Sequence, residues 1–425
     1  MIPLTPHGRT APFLFGASHD ETQGHDVMNP TAPHTAGQRA YSQLQARLAL
    51  PSIPALDGIR AIAVFLVLFY HLGNERALPF FPGPLGVLGF FVLSGFLITW
   101  LLLKEQEKTG SISLKGFYRR RALRIFPAFY VFWMLSVGTR LLWHGQGQVP
   151  WSQAFSAFFY VSNYFHAIFH PSPDFIIHTW SLSAEEQFYL LWPLAFLLFS
   201  RRRRLLISGL SLVIAAIWVH RLHLWITAHA VYYITYAFDT RADALLVGCL
   251  LALVLKEGLA QRFLTALCQP VWAPLVTALL TGLSVFAGRR FEAFELTAGL
   301  TIEPLLVATL ICQLVLQSAS WPWQWLNSKP TTYLGRISYP LYLYHMLATH
   351  LAMRVAARFP ALGTPFFVVL AVLIAIGVSA CSYEIVEKPF LALKAKTPSK
   401  LRNATLSRAL QGIPEKNQPS ATPLP

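Results

Sequence analysis

The sequence predicts an all-α fold, a polytopic membrane bundle of about ten helices that encloses a pore-like cavity. Of the 425 residues, 54% are hydrophobic and only 12% are charged, which is too few charged residues to cover a soluble surface. The apolar residues come in blocks as long as a membrane-spanning helix, such as 85–103, rather than in amphipathic stripes. Lys and Arg flank these blocks, as they do in membrane proteins.

Ten segments between the polar ends of the chain are predicted spans, each near the ~20 residues that cross a ~30 Å hydrocarbon layer. They are residues 58–75, 85–103, 122–143, 184–200, 205–222, 237–255, 271–287, 298–316, 336–353 and 363–386. The aromatic-rich stretch 151–169 has less apolar length, and we expect it in an outer loop or in the membrane interface. An additional span there would place two strongly basic segments on opposite sides of the membrane.

The distribution of basic residues predicts that both termini are cytoplasmic. In that orientation 26 of the 34 Lys and Arg residues fall in inner segments and 6 in outer segments, with Arg221 among the outer ones. The formal net charge of +15 belongs to these flanking segments, so it does not indicate a nucleic-acid partner.

The ends of the chain differ in composition from its middle. Residues 1–50 and 392–425 are polar and contain Pro, so we expect a disordered cytoplasmic arm and tail around one membrane domain at 51–391. No basic and apolar leader with a cleavage site opens the chain, so the first span is expected to stay attached. The four cysteines are scattered without metal-ligand spacing, and we predict neither a metal site nor a disulfide framework.

The first predicted span carries two residues that a membrane disfavours. Arg60 and His71 are eleven residues apart, which at ~100° per residue returns to within ~20° of one helix face, about 16 Å further along the axis. Arg60 alone could be an anchor at the interface, and His71 alone a histidine bonded to a neighbouring helix. Their shared face predicts that both look into one lumen, where a neutral imidazole is suited to take a proton from an alcohol.

Two adjacent carboxylates, Glu185 and Glu186, lie near the outer start of the fourth span. Carboxylates at this position can simply favour the positive end of a helix. Because adjacent helical residues point ~100° apart, we expect only one of them to reach the lumen. That carboxylate could orient and polarise His71 as part of a relay.

A basic cluster, 119–124, lies on the predicted inner side. The positive-inside rule alone accounts for many such clusters. Arg121 and Arg124, however, are three residues apart on one helix face, a spacing that can hold phosphate groups.

Three further polar residues occur within predicted spans. Arg241 and Asp243 are either a structural ion pair or a binding site for a hydroxyl-rich acceptor. His345 is either a second polar site or a core hydrogen bonder. The small residues in 86–97 indicate close helix packing.

Five segments, in order along the chain, resemble the acyltransferase-3 family of integral membrane acyltransferases. They are Arg60 with His71, Gly-Val-x-x-Phe-Phe-Val-Leu-Ser-Gly-Phe-Leu from Gly86, Arg-Arg-x-x-Arg-Ile-x-Pro from Arg120, Trp-Ser-Leu-Ser-x-Glu-Glu-Gln-Phe-Tyr from Trp180 and Ser-Tyr-x-Leu-Tyr-Leu-x-His from Ser338. The resemblance is to the standalone form without an appended periplasmic domain. It implies a bacterial inner-membrane enzyme without a permanently bound cofactor. The donor would be cytosolic acyl-CoA, commonly acetyl-CoA, and the acceptor a sugar, a glycolipid or a secreted natural product.

The residue patterns and the resemblance together give a hypothesis for an O-acyltransferase. His71 is the predicted general base, supported by Glu185 or Glu186, and Arg60 is predicted to steer or stabilise the charge on the thioester oxygen. The predicted CoA-phosphate ligands are Arg120, Arg121 and Arg124, and the predicted acceptor ligands are Trp180, Arg241, Asp243 and His345. A secondary transporter or exporter of a polar substrate is the alternative, followed by a non-enzymatic sensor.

Overall fold

The structure is a computed structural model that describes residues 36–50, 53–74, 81–144, 149–172, 176–259 and 261–395. Within these ranges every regular element is a helix, which confirms the predicted all-α class. A helix of at least 18 residues lies at each predicted span. These ten are α2 (Pro54–Asn74), α3 (Gly83–Thr109), α4 (Leu114–His144), α7 (Thr179–Phe199), α8 (Arg203–Ala228), α10 (Phe238–Lys256), α12 (Ala273–Arg290), α14 (Leu300–Gln317), α16 (Ser338–Ala356) and α17 (Gly363–Ser382).

The ten long helices differ in how apolar they are. By length and composition, α2, α3, α4, α8, α14 and α17, some with flanking residues, suffice to cross a membrane, so the chain is a multi-pass membrane protein. Of the other four, α7, α10 and α16 carry buried polar side chains that turn toward the interior of the bundle. Those side chains lower the mean hydropathy without facing lipid, and the count of ten spans stays a prediction.

Eight shorter helices connect or cap the long ones. They are α1 (Ala36–Ala49), α5 (Trp151–Phe158), α6 (Ser162–Phe169), α9 (Val231–Tyr236), α11 (Gln261–Cys268), α13 (Glu292–Phe294), α15 (Lys329–Arg336) and α18 (Lys388–Ala395). The π-helical turns Glu295–Gly299 and Tyr383–Glu387 join α13 to α14 and α17 to α18, and short 3₁₀ turns lie at Gln324–Asn327 and Pro360–Leu362. The stretch 151–169 forms α5 and α6, which are each too short to span a bilayer, as predicted.

Helix α1 corrects the prediction of a disordered arm over 1–50. The Tyr41 hydroxyl donates to the Leu255 carbonyl, and the Arg47 guanidinium donates to the Val315 carbonyl at 3.1 Å. These carbonyls lie in the last turns of α10 and α14, where a helix leaves its carbonyl groups without partners of its own. The segment is ordered by these long-range caps, which composition alone does not reveal.

The remainder of the two predicted end segments lies mostly outside the described residues. This holds for 1–35 and for 396–425. The first residues of the predicted tail, 392–395, complete α18 and are helical rather than disordered.

The central crossing of the bundle is made by α3 and α10. A Cβ added at Gly95 would lie 1.9 Å from the Leu245 carbonyl oxygen, and one at Gly248 would lie 2.1 Å from the Val92 carbonyl oxygen. The two backbones therefore touch where each helix has no side chain. This confirms the close packing predicted from the small residues of 86–97.

Candidate active site

Three histidines from separate elements pack together, and we call them the histidine cluster. His345 Nε2 on α16 lies 3.3 Å from His71 Nδ1 on α2, and the His345 ring stands 4.8 Å from the rings of both His71 and His178. The sequence predicted His71 and His345 as site residues but not His178, which immediately precedes α7. A single histidine just outside a helix belongs to no repeating pattern, so its position in the sequence does not indicate that it joins a site. Within the described ranges no group of His, Cys, Asp and Glu is arranged to hold a metal ion.

Backbone carbonyls determine which nitrogen of each ring carries the proton. His71 Nδ1 lies 2.9 Å from the Val67 carbonyl oxygen, and His345 Nδ1 lies 2.6 Å from that of Tyr342. Because a carbonyl only accepts, we assign the proton to Nδ1 in both rings. The N–H group at His71 Nδ1 then donates to two acceptors, the Val67 carbonyl oxygen and His345 Nε2. His71 Nε2 is left with a free lone pair, and no side chain of the described segments bonds to it.

A cavity of about 220 Å³ lies between α2, α3, α4, α7 and α16. We call it the arginine cavity because the guanidinium groups of Arg60, Arg121 and Arg124 line it, together with the carboxylates of Glu185 and Glu186. The expectation that only one of the two glutamates reaches the interior is therefore wrong. Three cations against two carboxylates, within largely apolar walls, suit an anionic ligand that carries a flexible organic arm.

The arginines of the cavity are held in different ways. Arg60 Nη1 lies 3.5 Å from Asp57 Oδ1 one turn earlier on α2. The Arg121 guanidinium lies over the Tyr189 ring, 5.1 Å from its centroid. Neither contact uses all five donors of a guanidinium, so both groups retain donors for a ligand.

Arg120 does not join the cavity, although the sequence placed it with the CoA-phosphate ligands. Its Nη2 bonds to Glu105 Oε2 on α3 at 2.6 Å, and it does not line the cavity. Arg121 and Arg124 reach the cavity together because they share the face of α4 that their spacing predicted.

The predicted relay between a carboxylate and His71 is not formed. Ser94 Oγ donates to Glu185 Oε1 at 2.7 Å, and the Tyr189 hydroxyl donates to Ser94 Oγ at 3.1 Å. Glu185 follows His178 by seven residues, which is about 10 Å along the axis of α7, so it lies outside the histidine cluster. Within the described residues neither glutamate bonds to His71, whose polar side-chain partner is His345.

Tyr342 separates the arginine cavity from the histidine cluster. It lines the cavity, its hydroxyl oxygen lies 2.5 Å from Ser181 Oγ, and it donates to the His178 carbonyl at 3.0 Å. His71 does not line the cavity, and Arg60 lies about 16 Å away along the unbroken helix α2. The arginine cavity therefore contains Arg60 and not His71, and one lumen shared by the two residues stays a prediction. The spacing of Arg60 and His71 on the helix predicts that their side chains point the same way, but it does not predict which residues pack between them.

In the predicted pair of Arg241 and Asp243, the aspartate has other partners. Arg221 Nη2 donates to Asp243 Oδ2 at 2.7 Å, and Thr301 Oγ1 donates to the same oxygen at 3.1 Å. Arg221 was counted as an outer-segment residue, but it is completely buried in this ion pair. These two hydrogen bonds occupy the Asp243 carboxylate, so we do not assign it to the binding of an acceptor.

Arg241 is buried, and its Nε has no hydrogen-bond partner among the described residues. It is 5% exposed, and its guanidinium lies 5.6 Å from the ring centroid of Trp180. A buried cation is costly unless something hydrogen-bonds to it, so the position favours a ligand. Arg241 and Trp180, which were predicted to bind the acceptor, therefore lie together.

The helices and the two polar sites define a membrane protein with a cluster of three histidines and a separate cavity lined by arginines and glutamates. The chain belongs to the acyltransferase-3 family, because the sequence profile of that family's acyltransferase domain matches residues 53–383. The predicted family is confirmed.

The chain is also similar to curated bacterial proteins that are named as O-acetyltransferases. The chain is similar to the peptidoglycan O-acetyltransferase OatA of Listeria monocytogenes, with 35% identity over 69% of this chain and 49% of that protein. It is 33% identical to the putative peptidoglycan O-acetyltransferase YrhL of Bacillus subtilis, over 79% of this chain and 54% of that one. It is 31% identical to the O-acetyltransferase OatA of Staphylococcus aureus, over 72% of this chain and 52% of that protein. The chain spans about half the length of these relatives, and no solved structure matches it significantly.

Proposed function

We propose that the chain is a membrane O-acyltransferase. It moves an acyl group, most simply acetyl, from cytosolic acyl-CoA to a hydroxyl of a cell-envelope sugar on the outer side of the membrane. The observation that carries this proposal is the free Nε2 of His71, a basic nitrogen held inside a bundle whose second polar site is lined by arginines. The family and the O-acetyltransferase names of the relatives support it.

The donor binds through its phosphates in the arginine cavity. Arg121 and Arg124 supply multidentate donors for phosphate oxygens, and Arg60 completes the set from α2. We assign Arg60 to this anion site rather than to the thioester oxygen, since it lies on the far side of Tyr342 from His71. The extended pantetheine arm of CoA then carries the thioester past Tyr342 toward the histidine cluster.

The chemistry requires one base. His71 Nε2 takes the proton of the acceptor hydroxyl while the oxygen forms a bond to the thioester carbonyl carbon. The carbon–sulfur bond then breaks, and the departing thiolate of CoA takes the proton from His71. His345, through the shared proton on His71 Nδ1, keeps Nε2 directed at the acceptor.

The acceptor is a hydroxyl-rich molecule bound by Arg241 and Trp180. The guanidinium, whose Nε has no partner among the described residues, offers donors to hydroxyl oxygens, and the indole ring offers an apolar face. The relatives' names make peptidoglycan the first sugar to test, with other envelope glycans, glycolipids and secreted natural products as alternatives.

This orientation requires the arginine cavity to open toward the cytosol. We therefore place both termini in the cytosol and the protein in the bacterial inner membrane, supported by the excess of Lys and Arg in the predicted inner segments. The donor then approaches from the side where acyl-CoA is made.

The proposal is tested with purified protein in sealed liposomes. Acetyl-CoA is supplied on one side and a peptidoglycan-derived sugar on the other, and free CoA and acetylated sugar are measured together. We expect equal amounts of both products, and only when acetyl-CoA is on the cytoplasmic face. Movement of the sugar across the membrane without release of CoA would instead establish an exporter.

A further inference from the structure

We propose that aromatic side chains beyond Trp180 bind a second sugar unit, next to the one that is acylated, so that the protein recognises a glycan chain rather than a single sugar. This inference rests on the proposed function and extends its acceptor site. The rings are those of Tyr236, Tyr232 and His170, which together with Trp180 we call the aromatic path. They come from α7, α9 and the residue that ends α6.

The outer end of the aromatic path is exposed. Tyr232 is 47% exposed, and its ring stacks on that of His170 with 4.3 Å between the centroids and 17° between the planes. His170 has a left-handed backbone (φ 46°), an uncommon conformation for a residue with a side chain, and its Nε2 lies 3.1 Å from the Ala167 carbonyl oxygen. The stacked pair is therefore held by helix α9 and by the residue that directly follows α6, rather than by a freely moving loop.

The inner end of the aromatic path reaches the predicted acceptor residues. The Tyr236 ring lies 6.3 Å from that of Tyr232 and 5.4 Å from that of Trp180, where the Arg241 guanidinium lies. Successive rings are thus about one sugar residue apart. Each ring offers an apolar face with a polar edge, which matches the CH face and hydroxyl rim of a pyranose.

The aromatic path also leads toward the base. Trp180, at the inner end of the path, follows His178 by two residues, and the His178 ring stands 4.8 Å from that of His345 in the histidine cluster that contains His71. A glycan that follows the rings inward therefore delivers a hydroxyl toward His71, while its next unit remains over Tyr232.

A polar frame fixes the elements that carry the rings. Asp239 Oδ1 accepts from the hydroxyls of Tyr164 at 3.0 Å and Tyr233 at 3.2 Å, and Oδ2 lies 3.1 Å from His220 Nε2. Burial, together with the carboxylate of Asp239, raises the pKa of Tyr164 to about 12, so the phenol keeps the proton that it donates. Because Asp239 is satisfied within the protein, we assign it to the frame and not to the sugar.

The test compares acceptors of different length on the full chain in lipid nanodiscs. The probes are N-acetylglucosamine and its β-1,4-linked tetramer, and the readouts are acetyl transfer and binding measured by saturation-transfer NMR. The variants are Tyr232→Ala and His170→Asn, the latter because asparagine tolerates the left-handed backbone. The matched control is Phe291→Ala, which removes an aromatic side chain that is 67% exposed and lies outside the path.

We expect both variants to raise the KM for the tetramer about tenfold, and to leave its kcat and transfer to the monosaccharide unchanged. Tyr232→Phe keeps the apolar face and loses only the hydroxyl, so its KM for the tetramer should lie between those of the wild type and Tyr232→Ala. Equal KM values for the tetramer in wild type and Tyr232→Ala would overturn the inference, as would a wild-type protein that does not bind the tetramer. Binding that depends on Tyr232 without any acetyl transfer would support the aromatic path and contradict the proposed function, so the two failures are distinguishable.

Discussion

His345 accepts a hydrogen bond from the ring of His71, with 3.3 Å between His345 Nε2 and His71 Nδ1. The Tyr342 carbonyl holds the other nitrogen of His345 at 2.6 Å, so the second ring is fixed in its turn. The proposed base, His71, thus contacts the imidazole of His345 where the sequence predicted a carboxylate. A neutral partner fixes the direction of the His71 lone pair without adding a charge to the interior of the bundle.

Replacing this partner should reduce turnover without weakening acceptor binding. We expect His345→Phe to lower kcat by up to about 10²-fold with little change in the acceptor KM, because a misplaced catalytic group costs rate. His345→Gln keeps an acceptor atom and should recover part of the loss. His350→Phe is the matched control, since His350 on the same helix bonds to the Met346 carbonyl and does not join the cluster. Equal kcat values for His345→Phe and the control would contradict the positioning role.

The arginine cavity predicts different effects for neighbouring arginines. Arg124→Ala removes a cavity cation, and we expect the KM for acetyl-CoA to rise at least about tenfold, since a hydrogen bond to a charged group contributes roughly 1.5–3 kcal/mol. Arg120→Ala should have little effect on this KM, because Arg120 is paired with Glu105 outside the cavity. Steady-state kinetics with acetyl-CoA as the varied substrate provides the comparison. A larger effect for Arg120 would place the donor elsewhere.

Glu185 should not influence the base. In Glu185→Gln the amide oxygen can still accept the hydrogen bond from Ser94, so the local packing is kept. We expect the acidic limb of the kcat–pH profile to stay where it is in the wild type, because Glu185 does not contact His71. The measurement is the pH dependence of acetyl transfer at saturating substrates. A displaced limb together with a large loss of kcat would restore the carboxylate–histidine relay.

The crossing of α3 and α10 should tolerate no side chain. Gly248→Ala places a Cβ at 2.1 Å from the Val92 carbonyl oxygen, and we expect a loss of about 1–3 kcal/mol through overpacking. Gly282→Ala is the control, since its Cβ would meet no atom within 4 Å. Thermal unfolding in detergent compares the two variants. An unchanged midpoint for Gly248→Ala would show that the helices separate without cost.

The sequence predicted the positions of the helices better than the contacts between distant parts of the chain. The helices at all ten predicted spans follow from apolar blocks of membrane length, and Gly95 and Gly248 mark where two of them touch. Helix α1 was missed because its order depends on caps to α10 and α14, more than 200 residues away in the chain. Such contacts leave no local pattern.

In the candidate site, too, the sequence predicted the participating residues better than the contacts between them. The residue types were informative, since His71, His345, Arg121, Arg124 and Arg241 all lie in polar sites. Their pairing was not predictable. Asp243 is two residues from Arg241 yet pairs with Arg221 on α8, because burial selects the partner with the better geometry.

Acylation by the His71→Ala variant shows most directly whether His71 is the general base. The variant and the wild type are compared at equal membrane abundance, with acetylated sugar measured by mass spectrometry. We expect the amount of acetylated sugar to fall by about 10²- to 10⁴-fold, the usual contribution of a general base. Product at the wild-type level would contradict this expectation and remove His71 from the mechanism.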